Sequence, residues 1–383
     1  MPRLAEAKKK RDADEAPAEA VDAVDEAPAA PAAPPLFPDG LPVDTPALPD
    51  GLANLSAQGC NACHFAVHDA WSDSAHAHAW DDPIFQEALT AAGNAPVCSS
   101  CHLPLANQQA QLVVEYTGGP LTSATLEDNP AWDATLQQEG VTCAACHVRD
   151  GQIVSTSAPE HAPHPIAVSD ELSTPEFCAT CHQLTWPGSE QPFYDTFGEW
   201  SRSSWAAAGV RCQDCHMPPS AGPVTAGRFA AVSDHRTLSN PARAVSLLVE
   251  LPPGPITRGQ PLEAMVRVQN TGAGHAFPTG SPFRYALLEA AVVDAEGEVM
   301  GEPVTWRFAR DVSPDPPFET ISDTRLPAGG QHDVPVRFEV PAKGAAGDGS
   351  FRVRLYRAGP DHPDGESAPS EPIVEQRIPV QIE

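Results

Sequence analysis

From Ala242 to the C-terminus, apolar and polar positions alternate. The alternation runs through residues 244–251, 262–268, 285–293, 304–308, 333–340 and 350–356. A period of two is what a strand with one buried face requires. Turn-forming runs such as Asn270-Thr271-Gly272 and Ala295-Glu296-Gly297 separate these segments. Short strands at this spacing predict an antiparallel, all-β sandwich of the immunoglobulin-like kind over residues 242–383.

Residues 52–241 follow neither the strand nor the helix period for long. Helix candidates cover 83–92, 130–139 and 195–208, the last with acidic residues early and small ones late, as a helix start and stop require. The rest of this stretch predicts loop, giving a mainly α and irregular domain. It is short on aliphatic residues and would make a poor core for an ordinary globule. Residues 1–51 are dominated by Ala, Pro, Asp and Glu. Such a composition buries too little apolar surface to offset chain entropy and predicts a disordered tether. Lys8 to Arg11 could open an export signal, but Asp12-Ala13-Asp14-Glu15 follows instead of an apolar segment. An export signal is therefore expected upstream of Met1 or under a different start. No run is long and apolar enough to span a bilayer.

The chemistry of residues 52–241 is concentrated in one repeated pentapeptide, Cys-x-x-Cys-His. Its copies open at Cys60, Cys98, Cys143, Cys178 and Cys212. They close with Cys63-His64, Cys101-His102, Cys146-His147, Cys181-His182 and Cys215-His216, and use all 10 cysteines. Successive copies are 38, 45, 35 and 34 residues apart, a loose repeat of one motif per short unit. The pentapeptide is the attachment signature of c-type haem. Two thioethers hold the macrocycle, and the adjacent histidine faces the iron as proximal ligand. Zinc ribbons also use paired Cys-x-x-Cys units, but that reading leaves the histidines unexplained and pairs an odd number of units poorly. A disulfide framework belongs to shorter, cysteine-dense chains. The expected cofactor is five covalently bound haem c. Five porphyrins would supply the apolar surface that the polypeptide lacks.

The chain has 51 Asp plus Glu against 23 Lys plus Arg, a formal net charge of -28. The haem propionates would deepen it. This field repels nucleic acid and anionic lipid, and it favours redox protein partners with basic patches. Covalent haem attachment takes place outside the cytoplasm, so a periplasmic or extracellular location is expected.

A haem iron with only a proximal histidine keeps one open axial position. A second histidine closes it and makes an electron carrier. Beyond the proximal five there are His68, His76, His78, His161, His164, His235, His275, His332 and His362, enough to close every iron. His68 lies four residues after His64, on the same face of a helix; His78 and His161 compete with it. His332 and His362 read as surface residues of sandwich loops. Trp71, Trp80, Trp132, Trp186, Trp200 and Trp205 all fall in the haem region, where packing against porphyrin faces explains them better than an aromatic relay does.

Several local runs carry a resemblance. They are Trp71-x-x-Ser74-x-His76, His164-Pro165, residues 176–183 around the fourth motif, Thr196-Phe197-Gly198-Glu199-Trp200, and residues 209–218 around the fifth. In these the chain resembles the multihaem family of the nitrifier cytochrome c-554 and hydroxylamine oxidoreductase, over residues 55–240. The resemblance implies an electron-transfer fold with His76, His164 and His235 as distal ligands. The run Gly274-His275-Ala276-Phe277-Pro278-Thr279-Gly280 is similar to one in sandwich domains appended to such cytochromes. A rigid loop of this kind can hold His275 towards an iron in the neighbouring domain. His68 is then the expected fifth distal ligand.

Three functions stay open. The first is electron transfer through closely packed, mostly bis-histidine haems. The second is an oxidoreductase with one open haem acting on a small nitrogen or sulfur compound. Ammonia-forming nitrite reductases of this kinship commonly use a proximal lysine. Here every motif ends in histidine, and lysine occurs only at Lys8, Lys9, Lys10 and Lys343. The tyrosine crosslink of hydroxylamine oxidoreductases has no matching context at Tyr116, Tyr194, Tyr285 or Tyr356. The third is a subunit of a conductive assembly, with the oligomeric state open.

Overall fold

A computed structural model of the chain describes residues 47–115, 124–149, 151–186, 189–315, 317–344, 346–358 and 371–383. The expected tether lies almost wholly outside these residues, as do Tyr116 and His362. In the first part the helices are α1 (Ala57–Ser72), α2 (Pro83–Ala91), α3 (Pro96–His102), α4 (Ala134–Gln137), α5 (Cys143–His147), α6 (Pro175–His182), α7 (Thr196–Ser201), α8 (Ser204–Ala207) and α9 (Cys212–His216). Asp82 caps α2 by accepting from the Ile84 and Phe85 N–H groups, with Pro83 in the first turn, where no N–H is needed. Thr174 and Pro175 start α6 the same way.

The helix expected at 83–92 forms nearly to its ends, whereas 130–139 shrinks to α4. The one expected at 195–208 breaks in two. Ser203 turns extended at ψ 161°, and its hydroxyl accepts from the Ala206 N–H to restart the chain as α8. Helical content is modest. Between the helices the chain pairs with itself where loop was expected, using β-branched runs such as Val113-Val114 and Ile153-Val154. The small sheets are β1 (Gln111–Glu115) with β2 (Thr125–Asp128), then β3 (Val148–Arg149), β4 (Gln152–Ser155) and β5 (Ile166–Val168). Two hairpins follow, β6 (Leu184–Thr185) with β7 (Pro192–Tyr194) and β8 (Pro219–Thr225) with β9 (Arg228–Ser233).

The alternating segments form β10 (Val245–Glu250), β11 (Pro261–Asn270), β12 (Tyr285–Asp294), β13 (Val304–Phe308), β14 (Arg310–Val312), β15 (Thr320–Asp323), β16 (Gln331–Glu339), β17 (Gly347–Ala358) and β18 (Val374–Ile382). One sheet has the order β10-β11-β16 and another β13-β12-β17-β18, with β14 paired to β15. Pairing within both larger sheets is antiparallel. The alternation turns Val266 and Val268 of β11, and Val334, Val336 and Phe338 of β16, inward. There they share one core with Leu288 of β12 and Phe351, Val353 and Leu355 of β17.

Apolar packing in the first part is thin by comparison. One cluster holds Leu55, Leu105, Leu136, Ala144 and Val148. An aromatic cluster of Trp186, Phe193 and Phe318 joins the two parts, and Arg310 reinforces it by donating to the carbonyls of Pro192 (3.0 Å) and Phe193 (2.8 Å).

Phe338 is fully buried and Phe229 is 75% exposed. Phe338→Ala is expected to cost about 3–5 kcal/mol, and Phe229→Ser to stay within about 0.5 kcal/mol. Denaturant unfolding of the two variants checks this; equal effects would contradict the assigned core.

Candidate metal centres

On a helical turn, positions i, i+3 and i+4 share a face. Each Cys-x-x-Cys-His unit is such a turn, so both thiols and the imidazole emerge together. The histidine ends its helix in α3, α5, α6 and α9. In α1 the helix runs on, but His64 leaves helical geometry at φ -100°, ψ 39° and kinks it. Every motif cysteine and motif histidine lines one cavity of about 2710 Å³. That is several times the roughly 300–1,000 Å³ that holds a single ligand.

Backbone carbonyls aim the imidazoles. The Nδ1 of His64 bonds Val224 O (3.0 Å), that of His147 bonds Val154 O (2.9 Å), that of His216 bonds Leu238 O (2.7 Å), and that of His102 bonds Ala79 O. Such a bond fixes the tautomer that leaves Nε2 free for a metal. Burial lowers the pKa of His102 and His147 and holds His182 at about 4. Neutral imidazole, the ligating form, is thereby favoured.

Across the cavity, four of these rings face a second histidine. Ring centres of His64 and His164 are 6.4 Å apart, and those of His182 and His76, His147 and His235, and His216 and His275 are each 6.2 Å apart. His235 and His275 also tie Nδ1 to the backbone, at Ser233 O (2.7 Å) and Ala276 O (2.9 Å). A metal–imidazole bond is about 2 Å, and a coordinating nitrogen lies about 1.1 Å from its ring centre. Two of each span about 6.2 Å, so each pair has the spacing that one iron needs. His76, His164, His235 and His275 thus stand opposite four different motif histidines.

The structure does not bring His68 to this cavity. It is buried with Nε2 3.1 Å from Gln58 Nε2 and its ring 5.5 Å from that of Trp71. His78 bonds Asp81 at 3.2 Å. His161 lines the cavity, and His332, on β16, packs against Trp306 at 5.0 Å. At His102 the Phe85 ring lies flat, 3.5 Å away and 7° from parallel. Nearby, Arg284 pairs with Asp82. Tyr194 is half-buried beside Cys98 and Cys101, and desolvation raises its pKa. Apart from the helix pattern that carries Phe85, these neighbours have no signature in the sequence.

No family model matches the chain. The cytochrome c-type protein TorY of Haemophilus influenzae is 37% identical over 71 residues, which is 18% of this chain and 17% of that protein. The crystal structure of a penta-heme cytochrome c552 from Thermochromatium tepidum superimposes with a TM-score of 0.56 at 21% identity, over 85% of this chain and 98% of that one. The fold is that of a multihaem c-type cytochrome. Its folded core here is built around the lined cavity, with covalently bound haem c as the group the donor set fits.

In this fold the motifs touch one another. The thiols of Cys60 and Cys143, of Cys101 and Cys181, and of Cys178 and Cys212 lie close enough to shift one another's pKa. Cys146 also lies close enough to Cys181 to feel its charge. The first motif therefore adjoins the third, and the fourth adjoins the second, third and fifth.

His76 is held by a tight backbone crossing. Trp71 Nε1 donates to Val141 O (2.9 Å), and Val141 N–H donates to His76 O (2.9 Å). Gly140, at φ +55°, sits where a Cβ would be 2.7 Å from His76 O. Gly140→Ala is expected to cost about 1–3 kcal/mol and to disturb the optical signal of a single haem. An unchanged unfolding midpoint together with an unchanged spectrum would contradict that role.

Proposed function

We propose that the chain is a pentahaem c-type cytochrome, with one haem c bonded at each pentapeptide. It passes electrons through closely packed, mostly bis-histidine haems to or from a redox protein. The four facing histidine pairs around one cavity carry this reading. An iron whose axial positions are both filled by the protein exchanges electrons and keeps substrates out of its coordination sphere. The proximity of the motifs supports a path from first to third to fourth to fifth, with the second branching from the fourth. A net charge of -28 favours partners with basic patches. The similar proteins are c-type cytochromes by name, which supports the same reading. The kinship with the cytochrome c-554 family and the reading of the two-sheet part as an immunoglobulin-like sandwich belong to this proposal. So does a periplasmic or extracellular location. Among the described residues no helix is long and apolar enough to cross a membrane.

One observation favours a second reading for one site. Phe85 lies flat on His102 with Tyr194 and Arg284 close by, so the second-motif haem is the candidate for an open iron that binds a small nitrogen or sulfur compound.

Mature protein is expected to weigh five haems more than its polypeptide and to give a matching pyridine haemochrome count. Carbon monoxide should bind at no more than one of them. A lower haem count, or carbon monoxide on several haems, would contradict the proposal. Reduction by a basic protein donor should slow as salt rises; a salt-independent rate would argue against acidic docking.

A further inference from the structure

The loop that carries His275 belongs to the two-sheet part, yet Glu199 of α7 grips it from the other part. Glu199 Oε2 accepts from the Ala276 N–H (3.1 Å) and the Thr279 hydroxyl (2.6 Å). Its Oε1 lies 2.8 Å from Arg325 Nη1, with side chains only 12% and 11% exposed. Thr279 also bonds Thr196 at the start of α7 (2.9 Å). The loop has no slack on its inner side. Asn270 Nδ2 donates to His275 O (2.8 Å), and a Cβ on Gly274 would meet Trp205 at 3.1 Å and Trp200 at 3.2 Å.

The same helix is tied to the fourth motif. Gln183, next to His182, accepts from the Gly198 N–H (3.0 Å) and donates to Asp195 Oδ1 (3.0 Å). One run of bonds therefore links the proximal histidine of the fourth motif, through α7, to the residue facing His216. A buried carboxylate that has lost its cation, or a buried cation that has lost its carboxylate, is costly, so the ion pair favours this single arrangement.

We infer that Glu199 is a positioning residue for the iron of the fifth motif: it holds His275 at the axial position and couples that position to the fourth motif. The inference rests on the proposed reading in which His275 is that iron's distal ligand. A merely structural role for Glu199 has a built-in comparison. Glu289 and Arg352 form another mostly buried ion pair at 3.2 Å, with 18% and 8% exposure, between strands β12 and β17.

The test reads the spin state of the ferric full-length holoprotein. Glu199→Ala should raise the high-spin fraction by about one haem in five over wild type, and added imidazole should reverse the rise. Glu199→Gln keeps an acceptor for Ala276 and Thr279 and should stay near wild type in spin while shifting the potential of one haem. Thr279→Val, a milder loss, should give a smaller rise. Glu289→Ala should lower the unfolding temperature without changing spin state. The inference is overturned if neither Glu199→Ala nor Thr279→Val raises the high-spin fraction, or if Glu289→Ala raises it equally. A His275→Ala protein with unaltered haem spectra would instead overturn the ligand reading itself.

Discussion

Two imidazoles facing each other across 6.2–6.4 Å do not touch, and have the spacing that one metal ion between them needs. That requirement organises the first half of the molecule. Its own apolar clusters are small, and its motif cysteines and histidines all turn towards one cavity. Proteins pack their interiors to high density, so a cavity of about 2710 Å³ lined by every motif cysteine and histidine is room for a cofactor. The carbonyls on Nδ1 then have a clear purpose. They engage one nitrogen of His64, His102, His147 and His216 and leave the other free for a metal.

The C-terminal part meets a different constraint. It has a full core of interdigitated Val, Leu and Phe, which makes it a rigid mount. His275 rides on that mount, and Glu199 with Arg325 fixes its approach. The fourth motif sits where these lines meet. Its cysteines lie close enough to those of the second and fifth motifs to shift their pKa, and its histidine is followed in sequence by Gln183, which anchors α7. The fourth motif is thus the one with the most neighbours among the five.

Much of this was legible in the sequence, for local reasons. Covalent attachment demands two thiols and an imidazole on one turn, so the five motifs declare themselves. Alternation declares most strands, although β18 was not anticipated despite its own alternation at Val374, Ile378, Val380 and Ile382. His76, His164 and His235 came from resemblance, and His275 from a stiff Gly/Pro loop. His68 shows where local reasoning stops. Four residues after His64 it would share that residue's face in an unbroken helix, but the kink lies at His64 itself. Phe85 on His102, Arg284 on Asp82 and Glu199 on Arg325 depend on residues distant in the chain, and no periodicity announces them.

The central claim is that four irons are each closed by a named pair of histidines. Near-infrared magnetic circular dichroism of the ferric protein counts bis-histidine haems directly. The account predicts four such haems per chain, falling by one when His76, His164, His235 or His275 is replaced singly by Met. Fewer than four in the intact protein, or a replacement that leaves the count unchanged, would contradict it.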